Sequence, residues 1–335
     1  MKRLLNIFKV FIYGVAFFTI IISCEVTKEI QVNYERTSVP EEGGIRFQQL
    51  TQEDERVLAP LIMKNELSGN LQWYAAPLIA ISPDGEQLAY LAKSNDFSNL
   101  YLRQIVGGKQ KIQRTFNRNV LDMAYSPDGQ HIAFTEQTNS SNNINMIRAK
   151  EGAAVMQITA TSKSELGPCF NPDGKSIYYS VENEGRYYIW NVTLETSIKT
   201  QFSEGFTPVV TPDGENLLIT KNNKDTGFGE IWMLNLRTGV ESIILSDRER
   251  GFSSPAISPD GNTIACVGIT PKSENRPMNL DIYTVRIDGT KLTQLTFHGG
   301  HDVSPIWAPD GKSIFFLAQR ANSEGKFNVW NMNVN

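Results

Sequence analysis

The tetrapeptide Ser-Pro-Asp-Gly recurs along this chain and constrains the fold more than any other feature. It is complete at 82–85, 126–129 and 258–261, and it returns with a different first residue at 171–174, 211–214 and 308–311. The prolines of successive copies lie 40 to 50 residues apart. A period of this length indicates a repeat architecture rather than one irregular domain.

Each copy predicts a tight turn between two antiparallel strands. Proline fixes φ at the second position of a type I turn, and the glycine takes the left-handed conformation that other residues resist. A short apolar segment precedes each copy and a β-rich run follows it. In the first five repeats, two more strand-like segments complete a four-stranded sheet.

The sixth repeat lacks a fourth strand, and residues 45–51 are predicted to supply it. This segment ends in Gln-Leu-Thr, as does the fourth strand of the fifth repeat at 291–296. Six four-stranded sheets then form a closed ring, because the N-terminal strand pairs with the last sheet and covers its exposed edge. We therefore predict an all-β fold, a six-bladed β-propeller that occupies residues 45–335.

Residues 1–23 have the pattern of a secretory signal peptide. Lys2, Arg3 and Lys9 precede an uncharged, mostly apolar stretch at 10–22. That stretch is too short for a helix to cross about 30 Å of hydrocarbon. The residues at 21–24, Ile-Ile-Ser-Cys, resemble the lipobox of bacterial lipoproteins, and the resemblance implies that Cys24 is the lipidated first residue of the mature chain. Residues 24–44 are predicted to be this lipidated N-terminus and a flexible tether.

The charge balance argues against a nucleic-acid partner. The formal net charge is −4, and removal of the signal takes away three positive charges. The sequence has no basic tail or patch of the kind that binds nucleic acid.

Residues 281–296 and 301–314 carry a resemblance to a known family. They read DIYTVRIDGTKLTQLT and HDVSPIWAPDGKSI, which resembles the WD40-like propeller repeat of the TolB family. The resemblance covers the propeller alone. The TolB plan has a separate domain before the ring, whereas residues 25–44 alone separate Cys24 from the first predicted strand.

The candidate binding residues lie where each inner strand enters the ring, because the repeat pattern breaks there. Binding residues usually occupy such loops on a rigid scaffold. The candidates for contact with a partner or ligand are Glu165, Glu204, Arg250, Phe252, His301 and Asp302.

Two interpretations of this rim remain open. His298, His301 and Asp302, with Glu165, are residue types that can hold a metal ion. Alternatively, the stretch is a polar loop whose aspartate accepts backbone hydrogen bonds. The connection at 52–72 is also unusually long, and its apolar residues fall near helical spacing, which predicts either a short helix over the ring or an irregular loop.

From these features we expect a cell-envelope lipoprotein without catalytic activity and without an obligatory cofactor. It is expected to reside at the outer membrane, facing the periplasm and held by its lipid alone, and to bind or scaffold another envelope protein or a peptide at the channel mouth. The alternative is a carbohydrate-active enzyme or glycan-binding propeller similar to oligogalacturonate lyases, with a metal held by His298 and His301 beside Arg250.

Overall fold

The computed structural model describes residues 41–42, 44–51, 56–59, 62–64, 71–73, 77–107, 110–150, 154–274, 277–320 and 326–334. The predicted signal peptide, Cys24 and most of the predicted tether lie outside these residues. Within the described ranges, no helix is sufficiently long and apolar to cross a membrane.

Among the described residues, six antiparallel sheets of four or more strands form successive blades, so the predicted six-bladed propeller is confirmed. Before the first blade come β1 (Glu41–Glu42), β2 (Ile45–Gln49), β3 (Ile62–Lys64) and β4 (Leu71–Trp73). Blade 1 contains β5 (Ile79–Ile81), β6 (Gln87–Ser94), β7 (Phe97–Gln104) and β8 (Lys111–Gln113). Blade 2 contains β9 (Asn119–Tyr125), β10 (His131–Gln137), β11 (Asn142–Arg148) and β12 (Met156–Gln157).

The remaining blades repeat this order. Blade 3 contains β13 (Glu165–Phe170), β14 (Ser176–Asn183), β15 (Arg186–Thr193) and β16 (Lys199–Glu204). Blade 4 contains β17 (Phe206–Val210), β18 (Asn216–Asn222), β19 (Gly229–Asn235) and β20 (Glu241–Leu245). Blade 5 contains β21 (Gly251–Ile257), β22 (Thr263–Thr270), β23 (Asn279–Arg286) and β24 (Thr293–Gln294), and blade 6 contains β25 (Asp302–Trp307), β26 (Ser313–Ala318), β27 (Asn328–Asn333) and β2.

The N-terminal strand closes the ring, as predicted. β2 pairs antiparallel with β27, with Phe47 opposite Met332 and Gln49 opposite Trp330. Phe47 packs edge to face against Phe316 of β26, with ring centroids 6.1 Å apart. β1 adds a short fifth strand outside β2. The first strands of neighbouring blades contact one another around the central axis.

The Ser-Pro-Asp-Gly turns join the first and second strands of each blade. In blade 1, the Ser82 hydroxyl donates to Asp84 Oδ1 at 2.5 Å, and the same oxygen accepts the Glu86 N–H at 3.0 Å. These two donors hold the pKa of Asp84 below its usual value. The turns also pack on one another: a Cβ at Gly129, whose φ is +68°, would lie 3.3 Å from Pro83 Cδ of the preceding turn.

A second repeated motif fastens the outer strand of four blades. In blade 1, the Thr115 hydroxyl accepts the Leu100 N–H at 2.9 Å, and the Gln113 amide donates to the Thr115 carbonyl at 2.8 Å. Thr51, Thr159 and Thr296 accept the equivalent N–H of Val329, Ile144 and Ile282. The shared Gln-Leu-Thr sequence of residues 49–51 and 294–296 therefore marks a hydrogen-bonding unit.

The long connection before blade 1 is partly β-structure, and the predicted helix is wrong in its described part. β3 and β4 pair antiparallel, with Met63 opposite Gln72. Val57 forms a β-bridge with Ala92 of β6, where the strand offers free backbone groups. The near-helical spacing of apolar residues did not predict this structure, because the described backbone groups pair between strands and the partner of Val57 belongs to blade 1.

Candidate functional site

A channel runs along the propeller axis and holds a cavity of about 240 Å³. Its wall is built mainly from the first strands of blades 2 to 6, together with Pro77 ahead of β5. None of the residues that line it carries a charged side chain. Prolines recur at one position of the repeat, namely Pro168, Pro208, Pro255 and Pro305. The cavity is therefore narrow, mostly apolar and preformed.

Three residues of the channel wall have a strained left-handed backbone, and a glycine takes the same conformation in a fourth blade. Thr207, Ser254 and Ser304 have φ of 50°, 53° and 52°, and Gly167 has φ of 64° at the equivalent position. In each of these four blades, the pairing register shifts at this point, which is a β-bulge. A non-glycine residue held in this region costs roughly 1–3 kcal/mol, and such strain is common at ligand-binding sites. Because the bulge recurs in four blades, this backbone conformation is a regular feature of the repeat.

Hydroxyl groups are the polar component of this wall. The Thr207 hydroxyl lies 2.8 Å from the Thr220 hydroxyl. The Ser304 hydroxyl is buried and has no hydrogen-bond partner among the described residues. Burial raises the pKa of the Cys169 thiol to about 11, so this group is neutral near pH 7. Thiol, hydroxyl and proline groups of this kind suit binding better than acid–base chemistry.

Asp122 braces the wall between blades 2 and 3. Its carboxylate accepts the Gly167 N–H at 2.9 Å and the Thr135 N–H at 3.2 Å. Burial raises the pKa of Asp122 to about 6. Sequence reasoning did not single out this residue, although an aspartate within an apolar inner strand is a signal that could have found it.

Asp302, the predicted rim aspartate, lies fully buried at the start of β25. Arg320 Nη2 and Nε donate to its two oxygens at 2.5 and 3.2 Å. The Arg320 guanidinium lies 4.1 Å from the centroid of the Phe47 ring. Asp302 therefore pairs with a buried arginine that the sequence analysis missed, and its carboxylate does not face solvent.

Glu165 and Phe252 also lie inside the rim. The Thr159 hydroxyl donates to Glu165 Oε2, and burial raises the pKa of Glu165. Phe252 is completely buried and packs edge to face against Tyr283, with centroids 5.9 Å apart. Both side chains therefore support the rim through buried contacts.

The two rim histidines are held within the packed rim, and His298 lies close enough to Asp302 to affect the pKa of its carboxyl. His298 is buried, and its Nδ1 accepts the Gly300 N–H at 2.9 Å. Burial lowers the pKa of His301 to about 4. In the part of the chain that the structure describes, no group of three His, Cys, Asp or Glu residues could hold a metal ion.

Arg250 and Glu204 are the predicted rim residues that solvent reaches best. Arg250 precedes β21, donates to the Tyr283 hydroxyl at 2.8 Å and pairs with Asp247 at 3.5 Å, yet its side chain remains 33% exposed. Glu204 is exposed at the end of β16. Both lie beside connections that enter the next inner strand, on the side of the ring opposite the Ser-Pro-Asp-Gly turns.

Two curated relatives share part of this chain. An uncharacterized protein of Agrobacterium fabrum, Atu1656, is 27% identical over 173 residues, which are 50% of this chain and 54% of that protein. The Tol-Pal system protein TolB of Francisella tularensis is 26% identical over 143 residues, 40% of this chain and 31% of that protein. The chain thus spans about half or less of the length of these relatives.

Solved structures share the fold at low identity. TolB from Acinetobacter baumannii superposes with a TM-score of 0.59 at 20% identity, over 75% of this chain and 64% of that chain. An oligogalacturonate lyase from Vibrio parahaemolyticus gives a TM-score of 0.57 at 13% identity, over 88% and 95% of the two chains. A family model described as the TolB beta propeller domain matches residues 71–229 and 225–335. This chain belongs to the TolB beta-propeller domain family.

Proposed function

We propose that this protein is a non-catalytic, lipid-anchored binding component of the cell envelope. Its propeller takes up an extended segment of another envelope protein, or a free peptide, at the rim and channel. In this proposal, the predicted signal peptide at 1–23 directs export, and the predicted lipid on Cys24 and the tether at 24–44 hold the ring at the periplasmic side of the outer membrane.

The preformed, uncharged channel is the observation that carries this proposal. Its volume of about 240 Å³ is smaller than the roughly 300–1,000 Å³ typical of pockets for small organic ligands. A narrow passage lined by prolines and hydroxyls fits an extended chain with small or apolar side chains. Because the bulges belong to the hydrogen-bonded blades, the wall needs little ordering when the partner enters.

The rim adds the polar contacts that choose the partner. Arg250 and Glu204 are exposed enough to meet a second molecule, whereas Asp302, Glu165 and Phe252 hold the rim in shape. The metal-dependent lyase alternative has less support. His298 Nδ1 already accepts a backbone N–H, and the Asp302 carboxylate already forms an ion pair with Arg320, so neither group is available as a simple metal ligand.

A pair of channel variants tests this function. Val209 and Ile306 occupy the position equivalent to Cys169 and also line the channel, so Cys169→Val is a matched control and Cys169→Phe narrows the passage. Tagged full-length chains are crosslinked in the native envelope and purified, and the bound proteins are identified by mass spectrometry. We expect one partner with the native chain and Cys169→Val, and at least a tenfold loss with Cys169→Phe. Equal recovery with both variants, or no partner with any chain, contradicts the proposal.

A further inference from the structure

The channel cavity opens toward the face of the ring formed by the six Ser-Pro-Asp-Gly turns, here called the turn face. Along blades 5 and 6, the residues that line the cavity become more exposed in that direction. Ser254 and Ser304 are buried, Ile257 and Trp307 are half-buried, and Pro259 of the blade 5 turn is exposed. A ligand therefore reaches the channel from the turn face, at the end opposite the rim. We call Ile257, Pro259 and Trp307 the turn-face mouth.

Trp307 is the largest residue of this mouth, and its position is fixed. The indole N–H donates to the Ala256 carbonyl of the neighbouring blade at 3.2 Å. Part of the residue packs against the main hydrophobic core, and it also lines the cavity. The described lining residues carry no charged side chain, so a charged group that entered would lose its hydration without compensation. The part of a ligand that enters the cavity is therefore apolar.

The turns around the mouth are acidic. Asp260 and Asp310 belong to two turns in contact, since a Cβ at Gly311 would lie 3.8 Å from Pro259 Cδ. The six turns contain six aspartates and two glutamates but only two lysines, at residues 83–86, 127–130, 172–175, 212–215, 259–262 and 309–312. All these residues belong to the described part of the chain, and all eight acidic residues are exposed. The apolar opening is therefore surrounded by negative charge.

Hydrogen bonds within each turn hold these carboxylates in place. The Ser258 hydroxyl donates to Asp260 Oδ1 at 2.5 Å, and the Asn262 N–H donates to the same oxygen at 3.0 Å. These donors lower the pKa of Asp260, so its carboxyl is ionised near pH 7. The Lys312 N–H donates to Asp310 Oδ1 at 3.0 Å. Fixed carboxylates beside an apolar opening attract a positively charged ligand.

We propose that the segment bound in the channel places an apolar residue beside Trp307 and basic residues against Asp260 and Asp310 on the turn face. This inference rests on the proposed function and adds the class of ligand to it. The ligand is an extended peptide in which lysine or arginine flanks a small apolar residue. Complementary charge of this kind selects among partners and speeds their association, and salt screens it.

Synthetic peptides test the charge preference. The probe is the fluorescein-labelled heptapeptide Lys-Lys-Ala-Val-Ala-Lys-Lys, and two matched peptides carry glutamine or glutamate in place of the lysines. Fluorescence polarisation measures their binding to the purified full chain. We expect the lysine peptide to bind about tenfold more tightly than the glutamine peptide, and this preference to disappear between about 0.05 M and about 0.5 M salt. Equal affinity for the two peptides at low salt overturns the inference.

Paired charge variants locate the site. Asp260→Asn with Asp310→Asn removes two charges beside the mouth, whereas asparagine still accepts the hydrogen bonds of the turn. Asp288→Asn with Glu195→Gln is the matched control, because both residues are exposed in the outer connections of the same face. We expect the first pair to lower the affinity for the lysine peptide to that for the glutamine peptide, and the control pair to change it by less than about twofold. Equal losses with both pairs overturn the placement at the mouth.

Cys169→Phe separates this inference from the channel function, because it narrows the channel without changing a charge on the turns. We expect this variant to lose binding of the lysine and glutamine peptides alike. If it does so while the native chain binds both peptides equally, the inference fails and the channel function stands. Full binding by Cys169→Phe, or no binding of any peptide by the native chain, contradicts the channel function as well.

Discussion

Arg320 and Asp302 form a buried two-point ion pair that joins the end of one strand to the start of another. Arg320 Nη2 lies 2.5 Å from Asp302 Oδ2, and the two side chains are 3% and 0% exposed. Because the guanidinium also lies over Phe47 of β2, the pair touches the strand that closes the ring. The pair therefore adds to the packing of the closing strand, although the aspartate lies at the predicted rim.

Asp302→Asn is expected to destabilise the protein by about 3–5 kcal/mol, because it removes the carboxylate charge that pairs with the buried Arg320 guanidinium. Chemical denaturation of the purified chain measures the change. Asp247→Asn is the matched control, since its partner Arg250 is 33% exposed and such pairs contribute about 1 kcal/mol or less. Equal effects of the two substitutions would show that burial of the pair has no energetic consequence.

Ser254→Gly is expected to stabilise the ring by about 0.5–1 kcal/mol. Release of the left-handed strain gains roughly 1–2 kcal/mol, and the added freedom of glycine in the unfolded chain takes back part of it. Ser253→Gly is the control, because Ser253 is not among the residues with positive φ. We expect that substitution to destabilise by about 1 kcal/mol. Thermal unfolding compares the two, and destabilisation by both would argue against strain at Ser254.

Thr51→Val tests the hydrogen-bonding unit that fastens the closing strand. The substitution leaves the buried Val329 N–H without its acceptor, which costs about 1–3 kcal/mol. Thr238→Val is the control, since this threonine lies exposed in a turn and bonds Asn235. Unfolding free energies of the two variants within experimental error of each other would contradict a role of Thr51 in closure.

The propeller was predictable because each repeat encodes its own turn and strand pattern. The closing strand was also predictable, since the Gln-Leu-Thr of residues 49–51 recurs at 294–296 and both copies form the same hydrogen bonds. These contacts lie within one blade or recur between blades. The repeated sequence pattern is therefore sufficient to predict them.

The departures came from contacts that belong to one blade only. Arg320 follows β26, and nothing in the repeat indicates that it turns back to Asp302. Asp122 bonds Gly167 of the next blade, and the pairing of Val57 with Ala92 depends on a chain that leaves the blade and returns. Such partners are fixed by the packed ring, and the local sequence pattern does not specify them.

Cys24→Ser is expected to move the protein from the membrane fraction to the soluble fraction of the envelope. Without a thiol there is no site for the lipid that the sequence at 21–24 predicts. Ser23→Ala is the control, because it retains the thiol and a small residue before it. Fractionation with an antibody against the ring measures the change. Retention of Cys24→Ser in the membrane fraction would mean that the anchor is not a lipid on this residue.

Asp122 is expected to give the ring an unusual pH dependence. Burial raises the pKa of its carboxyl from 3.8 to about 6 in the folded state, so the folded chain binds the proton more tightly than the unfolded chain. Stability contributed by this group is therefore present below pH 3.8 and falls as the pH rises to about 6, by about 2–3 kcal/mol. Asp122→Asn removes this titration while the other acidic groups remain. The measurement is the unfolding free energy of the native chain minus that of Asp122→Asn. This difference should be smaller at pH 7 than at pH 4 by about the same amount. A difference that stays constant between the two pH values would show that Asp122 ionises normally in the folded ring.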